Sequence, residues 1–293
     1  MFKENNKSAT KSDDSISASE CSKIHGVDRI KTWLNHPELP IKPSRLKRHC
    51  TDVKVTLGQM PYNANWKLQV ELFQPTIKCL ELLKAGIGSD VRILINYAEI
   101  ACDIPATSKK QAKWGQKQFI GSAKMLYQRQ NVIRYEGTDY FGRRESKRGN
   151  VLAVYADRPS KINNAKPAAN AKPCLHIECR VRGSTALANH GVVSLQDLIL
   201  FDHESFWDKN IRIYQLPNLT NLGRLLGKIN GSNSDISSTA LRKRATKWMN
   251  DFRNDDGDFV MHNALLATPK LVSQLNVLPF NEWLDAMVSV ESN

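Results

Sequence analysis

The chain has 293 residues, enough for one large domain or two ordinary ones, with 41% apolar and 24% charged residues as in globular proteins. Lys and Arg number 42 against 29 Asp and Glu, a formal charge of +13 with a pI near 9.5, so the chain draws polyanions whatever its fold. The sequence holds no apolar run of about 20 residues, which excludes a membrane helix, and no closely spaced Cys or His pair of the kind a structural zinc site needs. It also shows no hydrophobic signal-peptide core, so the expected location is the cytoplasm, with Cys21, Cys50, Cys79, Cys102, Cys174 and Cys179 as reduced thiols.

Residues 1–22 are rich in Ser, Lys, Asp and Glu and read as a flexible tail. Residues 51–57 and 66–72 read as strands; Trp66-Lys67-Leu68-Gln69-Val70-Glu71-Leu72 alternates with period two. Pro75 opens a helix with Ile77, Leu80 and Leu83 on one face and Gly86 as its stop. Residues 91–102 form a strand, and residues 103–131 show no clear period. Residues 131–135 and 138–143 read as a hairpin about Glu136-Gly137, followed by a strand over 150–156, a loop over 158–173 and a strand over 174–182. Ser194 caps a helix through Leu195, Leu198 and Ile199.

Beyond Pro217 helical periods dominate, over residues 219–228, 238–252, 269–275 and 281–290. The expected fold is α+β: an antiparallel sheet flanked by helices over residues 23–217, then a small helical region over 218–293.

The sharpest local signal is Leu175-His176-Ile177-Glu178-Cys179-Arg180-Val181-Arg182. On a strand, His176, Glu178 and Arg180 line one side while the apolar residues enter a core. An imidazole beside a carboxylate suits a divalent cation, and a solvated strand face with a Glu–Arg pair reads the same way. Glu99 and Asp103 form a second carboxylate pair among apolar neighbours, where a charge needs a partner or a metal.

Between Ser108 and Gly149 stand eleven basic residues against three acids, interleaved with Trp114, Phe119, Tyr127, Tyr135, Tyr140 and Phe141. Cations alternating with rings suit single-stranded nucleic acid, whose phosphates pair with the one and whose bases stack on the other. Lys113, Lys117, Arg134, Arg143, Arg144, Lys147 and Arg148 are the expected contacts. A second cluster, Arg242-Lys243-Arg244 with Lys247, lies on the helix from Ser238 and reads equally as a solvated face. The sequence has no Walker-type loop, no Gly-x-Ser-x-Gly and no His-Glu-x-x-His, which speaks against a nucleotide-driven motor and a zincin protease.

Four stretches in order resemble the rolling-circle replication initiators of filamentous phages and small plasmids. Residues 96–103, Asn-Tyr-Ala-Glu-Ile-Ala-Cys-Asp, resemble their acidic strand, and residues 140–146, Tyr-Phe-Gly-Arg-Arg-Glu-Ser, their Tyr-Phe-Gly turn. Residues 154–157, Val-Tyr-Ala-Asp, stand where the family has Arg-x-Tyr-Asp-Lys. Residues 176–182 resemble the strand Arg-x-Glu-x-x-x-Arg, with Ala186 as the small residue that follows.

The resemblance implies a DNA nickase of the histidine–hydrophobe–histidine type, with a palm-like sheet, working on origin DNA, single-stranded or supercoiled duplex, in a bacterial cytoplasm. In such enzymes Mg²⁺ or Mn²⁺ polarises the scissile phosphate, a tyrosine attacks it, and the free 3′-OH primes synthesis with host helicase and polymerase as partners. It implies His176, Glu178 and Glu99 at the metal and Tyr214 as nucleophile, with Tyr155 second. The chain departs from the pattern in having Ala156-Asp157 for Asp-Lys, in the 158–173 loop, and in the lack of a motif around Tyr214. A non-catalytic DNA-binding regulator and an RNA-binding protein are the competing expectations.

Overall fold

The structure, a computed structural model, describes residues 23–58, 60, 63–166, 171–232 and 236–289; the tail expected over residues 1–22 lies outside them. The chain runs β1 (Ile24–Leu34), α1 (Pro43–Leu46), β2 (Asp52–Leu57), β3 (Leu68–Phe73), α2 (Ile77–Ile87), β4 (Ile93–Pro105), α3 (Lys109–Ile120) and β5 (Ala123–Met125). Next come β6 (Val132–Tyr135), β7 (Thr138–Phe141), β8 (Gly149–Ala156), β9 (Cys174–Arg182), α4 (Ser184–Ala188), α5 (Leu195–Ile199), α6 (His203–Asn210) and β10 (Ile211–Gln215). Last are α7 (Leu219–Ile229), α8 (Ser238–Asp251), α9 (Met261–Ala267), α10 (Pro269–Val272), β11 (Asn276–Pro279) and α11 (Phe280–Ser289).

Eight strands form one antiparallel sheet in the order β2-β3-β1-β4-β9-β8-β7-β6, and β11-β10-β5 form a second, smaller one. The expected α+β fold is therefore the one that forms: an antiparallel sheet with helices packed on it. One face of the large sheet is apolar, because Ala98, Ile100 and Cys102 of β4 alternate in phase with Leu175, Ile177, Cys179 and Val181 of β9. Helices α2, α3, α5 and α6 bring Leu80, Leu83, Phe119, Leu195 and Trp207 into the same core. α3 crosses close to β9, with Gly115 against Leu175. The five described cysteines, Cys50, Cys79, Cys102, Cys174 and Cys179, are buried. Among the described residues no helix is long and apolar enough to cross a membrane.

Several expectations are corrected. Gly86 does not stop α2, which runs on to Gly88 at φ 66°; Gly86 leaves room for Ile41, which a Cβ would meet at 2.9 Å. Residues 103–131 hold α3, capped by Ser108, whose hydroxyl accepts from the Gln111 amide, and then β5. The β1 strand, unexpected from its pattern, lies inside the sheet between β3 and β4. Beyond Pro217, Leu222, Leu226, Ala245, Met261 and Leu271 form a second apolar cluster with Tyr214, while Phe280, Trp283 and Leu284 of α11 return to the main core.

Candidate active site

The face of the large sheet opposite the helices carries the ionisable side chains. Pairing Glu99 with Arg180, Ala101 with Glu178 and Asp103 with His176 sets these residues of β4 and β9 on one side. Tyr155 of β8 lies opposite His176, and Arg29 of β1 opposite Glu99. Between Val27 and Arg29 the β1–β4 register shifts, which makes Asp28 the extra residue of a β-bulge. The bulge aims its carboxylate at the same place: Asp28, Glu99 and Glu178 each offer an oxygen, all within 4.8 Å of one another. The Gln74 amide donates to Asp28 Oδ1 at 2.7 Å and holds it there.

Glu99 and Glu178 are both buried, at 4% exposure. Burial, together with the charge of Glu178, pushes Glu99 up to about 8, against the opposing hydrogen bond from Tyr97 and the charge of Arg180. Burial also raises Glu178. Arg180 Nε donates to Glu178 Oε1 at 2.6 Å and lies 3.6 Å from Glu99 Oε1; Arg29 stands 3.9 Å from Glu99 and pairs closely with Glu71. Three converging carboxylates, Glu99 and Glu178 buried and Asp28 half-buried, form an all-oxygen donor set, the chemistry that Mg²⁺ and Mn²⁺ prefer. The residues present therefore fit such an ion.

Two phenols reach the same carboxylates. The Tyr97 hydroxyl donates to Glu99, and the Tyr155 hydroxyl donates to Glu178 Oε2 at 3.3 Å. Arg158 donates to the Tyr155 oxygen at 3.3 Å and lies over its ring. Burial, then the adjacent Glu99 or Glu178 charge, raises both phenols well above their ordinary range.

His176 sits one step along β9 with both ring nitrogens occupied. Nδ1 meets Asp103 Oδ1 at 2.8 Å and Nε2 meets the Arg158 carbonyl at 2.7 Å, while the ring stacks on Tyr155 at 4.7 Å. Both partners are acceptors, so the ring satisfies them as an imidazolium. Burial pulls its pKa down, but the Asp103 hydrogen bond and charge outweigh it and the net shift is upward. An imidazolium has no lone pair for a metal; in this geometry His176 pins the loop that carries Arg158. The same loop closes on the sheet where Ile162 packs onto Gly26, a position at which a Cβ would collide with it.

Of the residues expected at the metal, the structure thus brings Glu99 and Glu178 together and turns His176 toward Asp103. Tyr214 stands elsewhere, on β10 of the small sheet, 5% exposed and packed with Leu222 and Leu226. Burial raises its phenol, against the opposing charge of Arg212.

The basic stretch divides. Lys117 pairs with Asp258 at 2.9 Å, and Arg134 pairs with Asp139, Asp256 and Asp258 at 2.9–3.6 Å, so these two are engaged within the protein. Arg144 lies 4.0 Å from the centre of the Tyr135 ring, and Lys113 and Lys147 are exposed. Arg143 and Arg148 line a cleft of about 1120 Å³ with Lys209, Arg212, Asn150 and Tyr127, the last 90% exposed. Asp28, Tyr97 and Arg158 escaped the sequence reading as site residues; the break in alternation at Asp28 was their one visible signal.

No family model matches the chain, and no curated protein matches it. Among solved structures, the chain is similar to the rolling circle replication initiator protein from Geobacillus stearothermophilus, with a TM-score of 0.35 at 10% identity, over 67% of this chain and 89% of that one.

Proposed function

We propose that the chain is a DNA replication initiator that nicks one strand through a tyrosine beside a divalent cation. The observation that carries this reading is the convergence of Asp28, Glu99 and Glu178 within 4.8 Å, with a tyrosine hydroxyl on each of the two glutamates. Mg²⁺ or Mn²⁺ held by these carboxylates would neutralise the non-bridging oxygens of a phosphodiester. Tyr155 is the preferred nucleophile, ahead of Tyr214, because Glu178 can take its proton and Arg158 can stabilise the phenolate. The Tyr155 oxygen bonds to phosphorus, the bond from phosphorus to the 3′ oxygen breaks, and that oxygen leaves as a 3′-OH after gaining a proton. Arg143 and Arg148 in the large cleft, with exposed Tyr127, suit the strand on either side of the cut. Host helicase and polymerase are the partners that extension of the 3′-OH requires.

The test is incubation with supercoiled plasmid and Mn²⁺, followed by denaturing electrophoresis for a covalent protein–DNA adduct. Tyr155→Phe abolishes the adduct and leaves binding intact; Tyr214→Phe keeps both. An adduct that persists in Tyr155→Phe removes this nucleophile. A second reading, a non-catalytic nucleic-acid-binding regulator, draws on Arg180, which already neutralises Glu178 and Glu99. Failure of the wild-type protein to bind Mn²⁺ selects it.

A further inference from the structure

The helices α7 and α8 pack backbone to backbone, because Gly223 lets the Leu241 carbonyl approach where any Cβ would overlap it. Their inner sides supply Leu222, Leu226 and Ala245 to the second apolar cluster. Arg244 also turns inward: its guanidinium donates to the Gly223 carbonyl at 3.4 Å and to the Ser232 hydroxyl at 3.5 Å. The basic run at 242–244 is therefore split between a clamp and an open face.

The open face of α8 consists of Thr239, Arg242, Lys243, Thr246, Lys247 and Asn250, all exposed and lining one shallow concavity. Spacings of three and four residues set them in a single stripe, which at 1.5 Å per residue is about 16 Å long. No carboxylate interrupts it; α7 and α8 together carry six basic residues and one acid, Asp251 at the end of α8. Among the described residues, Arg242, Lys243 and Lys247 make no ion pair. Arg242 is oriented by a hydrogen bond to Thr220 at 3.2 Å.

We propose that α8 enters the major groove of duplex DNA, as a nucleic-acid contact separate from the acidic cluster. It rests on the reading of the chain as a DNA-handling protein for the identity of the polyanion, and on charge complementarity for the rest. An α-helix fits a groove about 12 Å wide, and Arg, Lys, Asn and Thr are the side chains that pair with base edges and phosphates there. Arg224 and Lys228, exposed on α7, extend the positive field toward flanking phosphates. The stripe carries no aromatic ring, so it offers single strands nothing on which to stack.

The experiment is fluorescence anisotropy on the full chain without metal. The probes are a mixed-sequence duplex of about two helical turns and one of its strands, titrated over a range of salt. Lys243→Glu/Lys247→Glu weakens duplex binding by about tenfold or more and lowers the salt slope by about two, while single-strand affinity changes less than about twofold. Lys243→Arg/Lys247→Arg restores the duplex values, which excludes misfolding as the cause. The covalent-adduct assay on supercoiled plasmid with Mn²⁺, run on the same wild-type protein, reads the nicking proposal separately from this metal-free duplex binding. An unchanged duplex affinity and slope in the charge-reversed variant overturns the proposal, as does an equal loss on both probes.

Discussion

Glu99→Gln tests the acidic cluster, because the metal reading gives it two effects of opposite sign. In the metal-free wild type the Glu99 carboxyl sits at about 8, above an ordinary value near 4.5, so the folded state holds a proton that the unfolded state has released. Stability from this group is complete below the unfolded pKa and is lost as pH rises toward the folded one. Each pH unit in that window is worth up to about 1.4 kcal/mol, so the step from about pH 6 to about pH 8 costs on the order of 2 kcal/mol. In a chain of this size that lowers Tm by roughly 4–8 °C. The amide of Glu99→Gln cannot ionise, and its oxygen can still accept the Tyr97 hydroxyl. At pH 8 without metal the variant therefore melts above the wild type, and its Tm changes less between the two pH values.

Mn²⁺ reverses the order. At about a hundredfold excess over Kd, a ligand of the folded state adds about 2.7 kcal/mol, so the wild type gains roughly 5–10 °C while Glu99→Gln, with one ligand neutralised, gains less than half as much. The assay is thermal melting by circular dichroism at the two pH values, with and without Mn²⁺. A variant that is less stable at pH 8 and keeps the full response to Mn²⁺ would refute the reasoning: Glu99 would then serve as a structural counter-ion to Arg180 and not as a metal ligand.

Two further substitutions separate architecture from chemistry. His176→Phe keeps a ring to stack on Tyr155 but strands Asp103, 3% exposed, without its partner; the expected loss is about 3 kcal/mol or more by urea denaturation. Because the folded pKa of His176 is raised, that contribution is present below about pH 6.5 and fades as pH rises through the folded value, so the gap between variant and wild type narrows in alkali; a gap that widens there contradicts the imidazolium assignment. Arg134→Ala leaves Asp139, fully buried, without its cation, and lowers stability by about 3–5 kcal/mol. If instead it melts like the wild type and loses only DNA affinity, Arg134 faces nucleic acid after all.

How much of this was legible in the sequence depends on the range of the interaction. The alternation in β9 is local, and its bounds and its division into a core side and an ionisable side follow from residues 174–182 alone. The capping box at Ser194 and Asp197 is equally local. Two of the three partners of Arg134, Asp256 and Asp258, by contrast, come from positions more than a hundred residues onward, so the charge count over 108–149 could not tell an engaged cation from a free one. In the sequence Tyr214 simply follows β9, whereas its neighbours are set by the small sheet, whose strands β5 and β11 are too short to announce themselves.

The most instructive omission is β1. Ile30, Thr32 and Leu34 are buried with period two, but Val27 falls out of phase with them because Asp28 adds one residue to the strand. A pattern search rejects such a segment, since its two halves point their apolar residues to opposite faces when read as one uninterrupted strand. The bulge resolves the conflict, letting Val27 and Ile30 enter the same core while Asp28 turns toward Glu99 and Glu178. The interruption that hid this interior strand is thus the feature that completes the acidic cluster. A charged residue at a phase break between two apolar half-strands is worth testing as a site residue before the segment is dismissed as a loop.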